Sequence, residues 1–120
     1  MAIKWNIIFR QNTEACTELY CWIKKITVPS EVSAIKISQD DLKYVIGKHH
    51  NGIITMDSIL PFFDEREISV SVYLVKENGF AFFAQNKSRK VIRNDFDNRQ
   101  LANENAIICA LELLNENLNC

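Results

Sequence analysis

The stretch ISVSVYLVKENGFAFFA, residues 68–84, predicts the element around which the fold is built. Apolar side chains at 68, 70, 72 and 74 alternate with Ser69, Ser71 and Tyr73, which is the period of a half-buried strand. Residues 77–79, Glu-Asn-Gly, supply a turn because Asn-Gly readily takes positive φ. Residues 80–84 then return as a second strand. We therefore predict an antiparallel hairpin over residues 67–84.

The residues that follow the hairpin predict one more strand and a long helix. Lys87 to Arg93 can add the third strand. Leu101 to Leu118 has the period of a substantially buried helix, and Asp97 or Asn98 is expected to cap its N-terminus. Phe82 and Phe83 point to opposite faces of the sheet, so one of them needs cover from a helix or from a partner.

The N-terminal half predicts two short strands and a helix. Branched and bulky residues from Ile3 to Phe9 favour a strand. Thr13 is expected to cap a helix whose core stripe consists of Ala15, Leu19, Trp22 and Ile26. Cys21 falls on the opposite, exposed stripe. Residues 32–37 can form another short strand.

Two shorter helices are expected in the middle of the chain. Ser38 begins an S-x-x-D capping box, and Gly47 is expected to end the helix that follows. Thr55, Asp57 or Ser58 can cap a second helix that carries Pro61 in its first turn. Together these elements predict an α+β fold, an antiparallel sheet covered by helices, in a single compact domain over residues 1–120.

Composition excludes several classes of protein. The 120 residues are 48% apolar and 24% charged, and 14 basic against 15 acidic residues leave a net charge of −1. A nucleic-acid-binding domain usually has a basic excess, so nucleic acid is an unlikely partner. No segment has the length of apolar chain that a membrane span needs, and the N-terminus does not resemble a secretory signal. We expect a cytoplasmic protein without a membrane partner.

Candidate cofactor and metal motifs are incomplete. GKHHNG, residues 47–52, has the glycine spacing of a phosphate-binding loop but lacks its Lys-Ser/Thr. Adjacent histidines do not have the spacing of two metal ligands on one helix face, and DFDN, residues 95–98, lacks the glycine and glutamate of a calcium loop. The four cysteines form neither a disulfide framework nor a zinc motif. We expect no cofactor, no metal and no catalysis.

The stretch NKSRKVIRNDFDNR, residues 86–99, holds most of the candidate binding residues. It admits two interpretations. Charged residues on an edge strand block unwanted pairing with other strands. Alternatively, the stretch binds a partner protein or a small anion, with help from the residues that follow the second predicted helix or from the amide groups that open the last helix. The candidate residues for this binding are Lys87, Arg89, Lys90, Arg93, Asp95, Asp97, Arg99, Lys48, His49 and His50.

Residues 55–118 resemble the small phage ABA-sandwich, or NinX-like, domains. The order of Thr55-Met56-Asp57, the hairpin and the segment AIICAL at 106–111 resembles the Ser/Thr-x-Asp segment, hairpin and Ala-Ile-Cys helix of that family. The chain lacks the tryptophans and the Thr-Ala-Pro entry common there. The resemblance implies a mobile-element origin and αβα layering, and it implies no catalytic site.

Two functional hypotheses follow. The first is a small binding or inhibitor protein, encoded by a phage or another mobile element, that acts stoichiometrically on a host, toxin or defence protein. The alternative is a sponge or sensor for a nucleotide or another small anionic ligand. A metal-dependent or cysteine enzyme ranks below both. The sequence leaves the oligomeric state and the identity of the partner open.

Overall fold

The part of the chain that the structure describes folds into five helices and three strands. The structure, a computed structural model, describes residues 4–25, 38–50, 54–75 and 79–118. In chain order, the elements are α1 Trp5–Gln11, α2 Thr13–Lys24, α3 Gln39–His50, α4 Met56–Glu65, β1 Ser69–Val75, β2 Gly79–Gln85, β3 Lys90–Phe96 and α5 Arg99–Leu118. The predicted α+β class with an antiparallel sheet is confirmed.

The predicted hairpin forms the first two strands of the sheet. The strand order is β1-β2-β3, and both pairings are antiparallel. Val70 lies opposite Ala84, and Val72 lies opposite Phe82. Residues 76–78 of the predicted turn lie outside the described residues. The third strand begins at Lys90, three residues later than predicted.

A bulge near the end of β3 changes the register of the sheet. Arg93 lies opposite Phe82, and Phe96 lies opposite Phe80. Between these two pairs, β3 therefore contains one more residue than β2. Asp95 takes φ of 70° within this segment. Aspartate tolerates this left-handed conformation better than most residues, which suits it to a bulge.

One hydrophobic cluster joins the helices to one face of the sheet. Phe82 and Ala84 of β2 are buried in it together with side chains from all five helices. Val70, Val72 and Val91 are half-buried against the same cluster. We call this side of the sheet the inner face. Helix α5 contacts all three strands as well as α2 and α4, so it lies at the centre of the packing.

The predicted N-terminal strand is wrong, because residues 5–11 form α1. Trp5 and Ile8 are buried while Ile7 is exposed, so burial follows a helical step of three. Branched side chains favour strands only where they fit a half-buried sheet surface, and here they pack against helices.

Helix α2 forms as predicted, but its cap differs. Thr13 is its first residue, and its hydroxyl donates to the Phe9 carbonyl at 3.0 Å. The backbone N–H of Ala15 instead donates to Oδ1 of Asn115 on α5, at 3.1 Å. The acceptor for the first turn of α2 is therefore 100 residues away in the sequence.

The exposure predicted for Cys21 is wrong. Its side chain is buried because α2 packs against α1, α3 and α5, which cover more than one side of the helix. Ala15 and Leu19 are buried as predicted, and Trp22 is half-buried. Ile26 and the strand predicted over residues 32–37 lie outside the described residues.

The two middle helices are confirmed with different boundaries. Ser38 and Asp41 exchange the two hydrogen bonds of a capping box, but α3 continues past Gly47. Thr55 and Ser58 cap α4 in the same reciprocal way. Pro61 is the sixth residue of α4, not a first-turn residue, and it lies on the exposed side of the helix.

Replacing Asn115 tests the long-range cap on α2. We expect Asn115→Ala to lower the free energy of unfolding by about 1 kcal/mol, because a first-turn N–H loses its acceptor. Urea unfolding followed by circular dichroism measures the change. The control is Asn117→Ala on the same helix, for which we expect less than about 0.5 kcal/mol. Equal losses in the two variants would contradict the cap.

Candidate functional site

Residues 86–99, called the basic stretch below, begin at a turn that is held by hydrogen bonds of the Asn86 side chain. Asn86 is buried, and its Oδ1 accepts hydrogen bonds from the backbone N–H groups of Ser88 and Arg89, both at 2.8 Å. Its Nδ2 donates to the carbonyl of Leu113 on α5 at 3.2 Å. This asparagine therefore turns the chain between β2 and β3 and fixes the turn to α5. It explains why β3 begins at Lys90.

Two cations of the stretch form ion pairs within the chain. The Arg89 guanidinium donates to both carboxylate oxygens of Glu116, with Nε 3.0 Å from Oε1. The Lys87 ammonium lies 2.8 Å from a carboxylate oxygen of Glu67. Hydrogen bonding by these cations lowers the pKa of Glu116 and of Glu67. Both pairs are exposed to solvent and leave little net charge locally.

Two further cations lie over aromatic rings. The Lys90 ammonium is 5.1 Å from the centre of the Phe83 ring, and the Arg99 guanidinium is 4.9 Å from the centre of the Phe80 ring. Such contacts fall within the range of cation–π attraction. Phe83 and Phe80 belong to opposite faces of β2, so Lys90 and Arg99 are not members of one anion pocket.

The remaining candidate residues are dispersed. Arg93 is exposed and pairs with Phe82 across the inner face. Asp95 lies in the bulge, and Asp97 follows β3. Asn98, not Asp97, caps α5 by accepting from the N–H of Leu101 at 2.8 Å.

Of the three candidate residues at the end of α3, the structure describes the side chain of Lys48 alone. Lys48 is exposed on α3, which packs against α1 and α2. No hydrogen bond or ion pair in the described part of the chain links it to the basic stretch. The side chains of His49 and His50 lie outside the described residues.

The two edges of the sheet differ in charge. β3 is an edge strand, and it carries Lys90, Arg93 and Asp95. These charges fit the interpretation that the stretch guards an edge against pairing. The other edge strand, β1, reads SVSVYLV and has no charged residue.

The face of the sheet opposite the core carries aromatic and apolar side chains. We call it the outer face. One row across the sheet consists of Ser71, Phe83 and Ile92, and Tyr73 lies in the next row. Ile92 is 58% exposed and Tyr73 is 40% exposed. All five described helices pack on the inner side, so none of them covers this face. The alternation of β1 predicted a second face, but not that the described helices would leave it uncovered.

A charged groove of about 390 Å³ lies beside the basic stretch, and sequence reasoning missed it. Arg66, after α4, donates from Nε to Glu18 of α2 at 2.8 Å and stacks 4.1 Å over the Phe62 ring. Both side chains of this ion pair are less than one-fifth exposed. The other charges lining the groove are Lys87 and Glu67, already paired. The charges lining the groove are therefore paired with one another, and the pair of Arg66 with Glu18 connects the end of α4 to α2.

The described cysteines do not have the features of nucleophiles. Cys16, Cys21 and Cys109 are free and buried. Burial raises the pKa of the Cys16 thiol to about 12 and also raises the pKa of Cys21 and of Cys109. A reactive thiol needs a lowered pKa and access to solvent. Within the described ranges, no group of three histidine, cysteine or acidic side chains is arranged to hold a metal ion.

Comparison with known protein families, with curated proteins and with solved structures finds no match to this chain. The resemblance of residues 55–118 to the phage domains therefore stays a prediction. Among the described helices, none combines the length and the apolar character needed to cross a membrane.

Replacing Asn86 tests the turn. We expect Asn86→Ala to cost about 2–3 kcal/mol in unfolding free energy, because buried partners lose their hydrogen bonds. The amides of Ser88 and Arg89 should then exchange hydrogen faster, as measured by NMR. Asn94→Ala, at an exposed position on β3, is the control and should change neither quantity. Unchanged exchange at residues 88 and 89 in Asn86→Ala would show that the turn does not depend on Asn86.

Thiol labelling tests the cysteines. In a Cys120→Ser background, we expect the three remaining thiols to react with DTNB slower by on the order of a hundredfold or more in the native protein than in guanidinium, because they are buried and protonated. The absorbance of the released thionitrobenzoate gives the rate. A thiol that reacts at the unfolded rate in the native protein would restore the hypothesis of a cysteine enzyme.

Proposed function

We propose that this protein is a non-catalytic binding domain that occupies a partner protein stoichiometrically through the outer face of its sheet. The observation that carries the proposal is the row of Phe83 and Ile92, with Tyr73 beside it, on a face that no described helix covers. Large apolar side chains grouped on an open surface are typical of interaction sites.

The outer face has the composition of a protein interface. Its centre holds Phe83, which lies on the middle strand and contacts Lys90 through its ring. Aromatic residues dominate the binding energy at the centres of interfaces, and charged residues are depleted there. Ser69, Ser71 and Gln85 complete the face with uncharged polar groups. A partner with an exposed apolar patch fits this surface better than a nucleotide or a nucleic-acid backbone does.

The basic stretch then forms the rim of the interface. Lys90 is exposed on β3 and lies opposite Gln85 at the border of the outer face, whereas Arg93 is exposed on the inner side of the same strand. Charges at a rim mainly change the rate of association, and salt screens them. This role agrees with the intramolecular pairing of Lys87 and Arg89, which leaves few cations for a dedicated anion pocket.

Stoichiometric blocking of another protein requires surface complementarity and no catalytic motif. The proposed role is therefore an inhibitor of a host, toxin or defence protein, encoded by a phage or another mobile element. The support for the mobile-element origin is the resemblance of residues 55–118, and the support for blocking is the open face.

A comparative pull-down tests this proposal. We expect the tagged protein to capture one bacterial protein near equal stoichiometry from a lysate at moderate salt. Ile92→Lys should lower the capture about tenfold or more, because it places a charge next to Phe83 on a surface that binding would desolvate. Mass spectrometry of the eluate, for proteins and small molecules, measures the result.

The control is Tyr44→Lys. Tyr44 is 68% exposed on α3, so the substitution makes the same kind of change on another surface and should leave capture intact. Equal loss in both variants would argue against the outer face. A nucleotide retained without any protein would instead support the sponge hypothesis.

A further inference from the structure

None of the described strands lies beside the outer edge of β1. β1 pairs with β2 alone in the described part of the chain, and no hydrogen bond there joins the other edge of β1 to another residue. Half of the backbone N–H and C=O groups of residues 69–75 therefore point away from the sheet. Such an edge is a template for another strand.

Only one of the two edges carries charges that oppose pairing. β3 has Lys90, Arg93 and Asp95. β1 has seven uncharged residues without proline, and its last three, Tyr73, Leu74 and Val75, are exposed. A strand that approaches β3 meets repulsion or desolvation cost from these charges, whereas β1 itself carries no charge.

We propose that β1 pairs with β1 of a second copy of this chain, antiparallel and centred on Val72, to form a continuous six-stranded sheet. In this register Val72 lies opposite itself, Ser71 lies opposite Tyr73, and Val70 lies opposite Leu74. The strand is complementary to itself under two-fold symmetry, because small and large side chains alternate across the axis and no charges meet.

An exposed side chain and a groove support this register. Leu74 is 62% exposed, although it points to the inner side of the sheet. A groove of about 430 Å³ beside β1 is lined by Met56 and Leu60 of α4 and by Val70, with Asp57, Arg99 and Asn103 among its polar lining residues. Pairing Leu74 with Val70 of the second copy places the leucine at this groove, twice in a symmetric dimer. The same pairing covers an exposed apolar side chain that the monomer leaves in water.

The dimer also extends the outer face. Tyr73 from each copy lies next to the symmetry axis, so the two outer faces become one surface. The proposed partner would then bind two protomers side by side, and both binding sites would remain accessible.

Sedimentation equilibrium of the intact protein tests the dimer. The expected mass is near twice 13.9 kDa at high concentration, with dissociation on dilution. We expect Leu74→Lys to raise the dissociation constant of the dimer about tenfold or more. The substitution removes the leucine from the groove and places a charge on the edge strand, which opposes pairing. Ile92→Lys is the matched control at the other edge strand, and it should leave the dimer intact. A wild-type mass of one protomer at millimolar concentration would overturn the proposal.

Disulfide trapping tests the register. In a Cys120→Ser background, a Ser71→Cys chain is mixed with a Tyr73→Cys chain of different mass and is oxidised mildly. Residues directly opposite in an antiparallel pair are close enough for a disulfide, so the mixed dimer should exceed both homodimers. Equal trapping of all three species would overturn the register centred on Val72.

The outcomes separate this inference from the proposed function. A dimer lost in Leu74→Lys and kept in Ile92→Lys supports the edge pairing, whether or not a partner is captured. A dimer lost in Ile92→Lys and kept in Leu74→Lys would place the contact on the outer face and overturn the edge pairing. Partner capture by a monomeric Leu74→Lys protein would support the proposed function without the dimer.

Discussion

The C-terminal half of α5 holds together parts of the chain that are far apart in sequence. The carbonyl of Leu113 accepts from Asn86 at the turn between β2 and β3. Two residues later, Asn115 caps α2, and the next residue, Glu116, pairs with Arg89. These contacts fix the sheet and the N-terminal helices to the same helix. Since α5 lies on the inner face, every helix that packs against it is drawn to that side of the sheet.

This one-sided packing determines what the molecule offers to a partner. A sheet with helices on one side has one face in the core and one face in solvent, which antiparallel sheets can sustain. The solvent face usually carries polar side chains, but here Phe83 and Ile92 face outward beside Tyr73. Polar residues at 69, 71 and 85 keep the face soluble. Phe83 is half-buried, whereas Tyr73 and Ile92 are exposed and gain free energy when another surface covers them.

Elements with one dominant burial pattern were predictable from the sequence. The hairpin and α5 have clear periods, and their packing agrees with those periods. Residues 5–9 were not predictable as a helix, because branched side chains signal a strand and the burial that decides the matter comes from other helices. The cap of α2 could not be predicted from the local sequence either, because its acceptor, Asn115, is brought to the helix by tertiary contact. Cys21 was assigned to an exposed stripe because a sequence does not show how many sides of a helix are covered.

The candidate binding site shows the same limit. Composition identified the cluster of cations at 87–99, but their acidic partners, Glu67 and Glu116, come from other elements and cannot be assigned by spacing. Once those partners are counted, two of the five cations, Lys87 and Arg89, are paired within the chain, and the charges on β3 make its edge unfavourable for pairing. β1 carries no such charges, so nothing of this kind opposes pairing at its edge. Charges protect the β3 edge of the sheet, whereas the β1 edge is uncharged and has Leu74 exposed beside a groove. An additional strand is therefore expected to pair with β1 and not with β3.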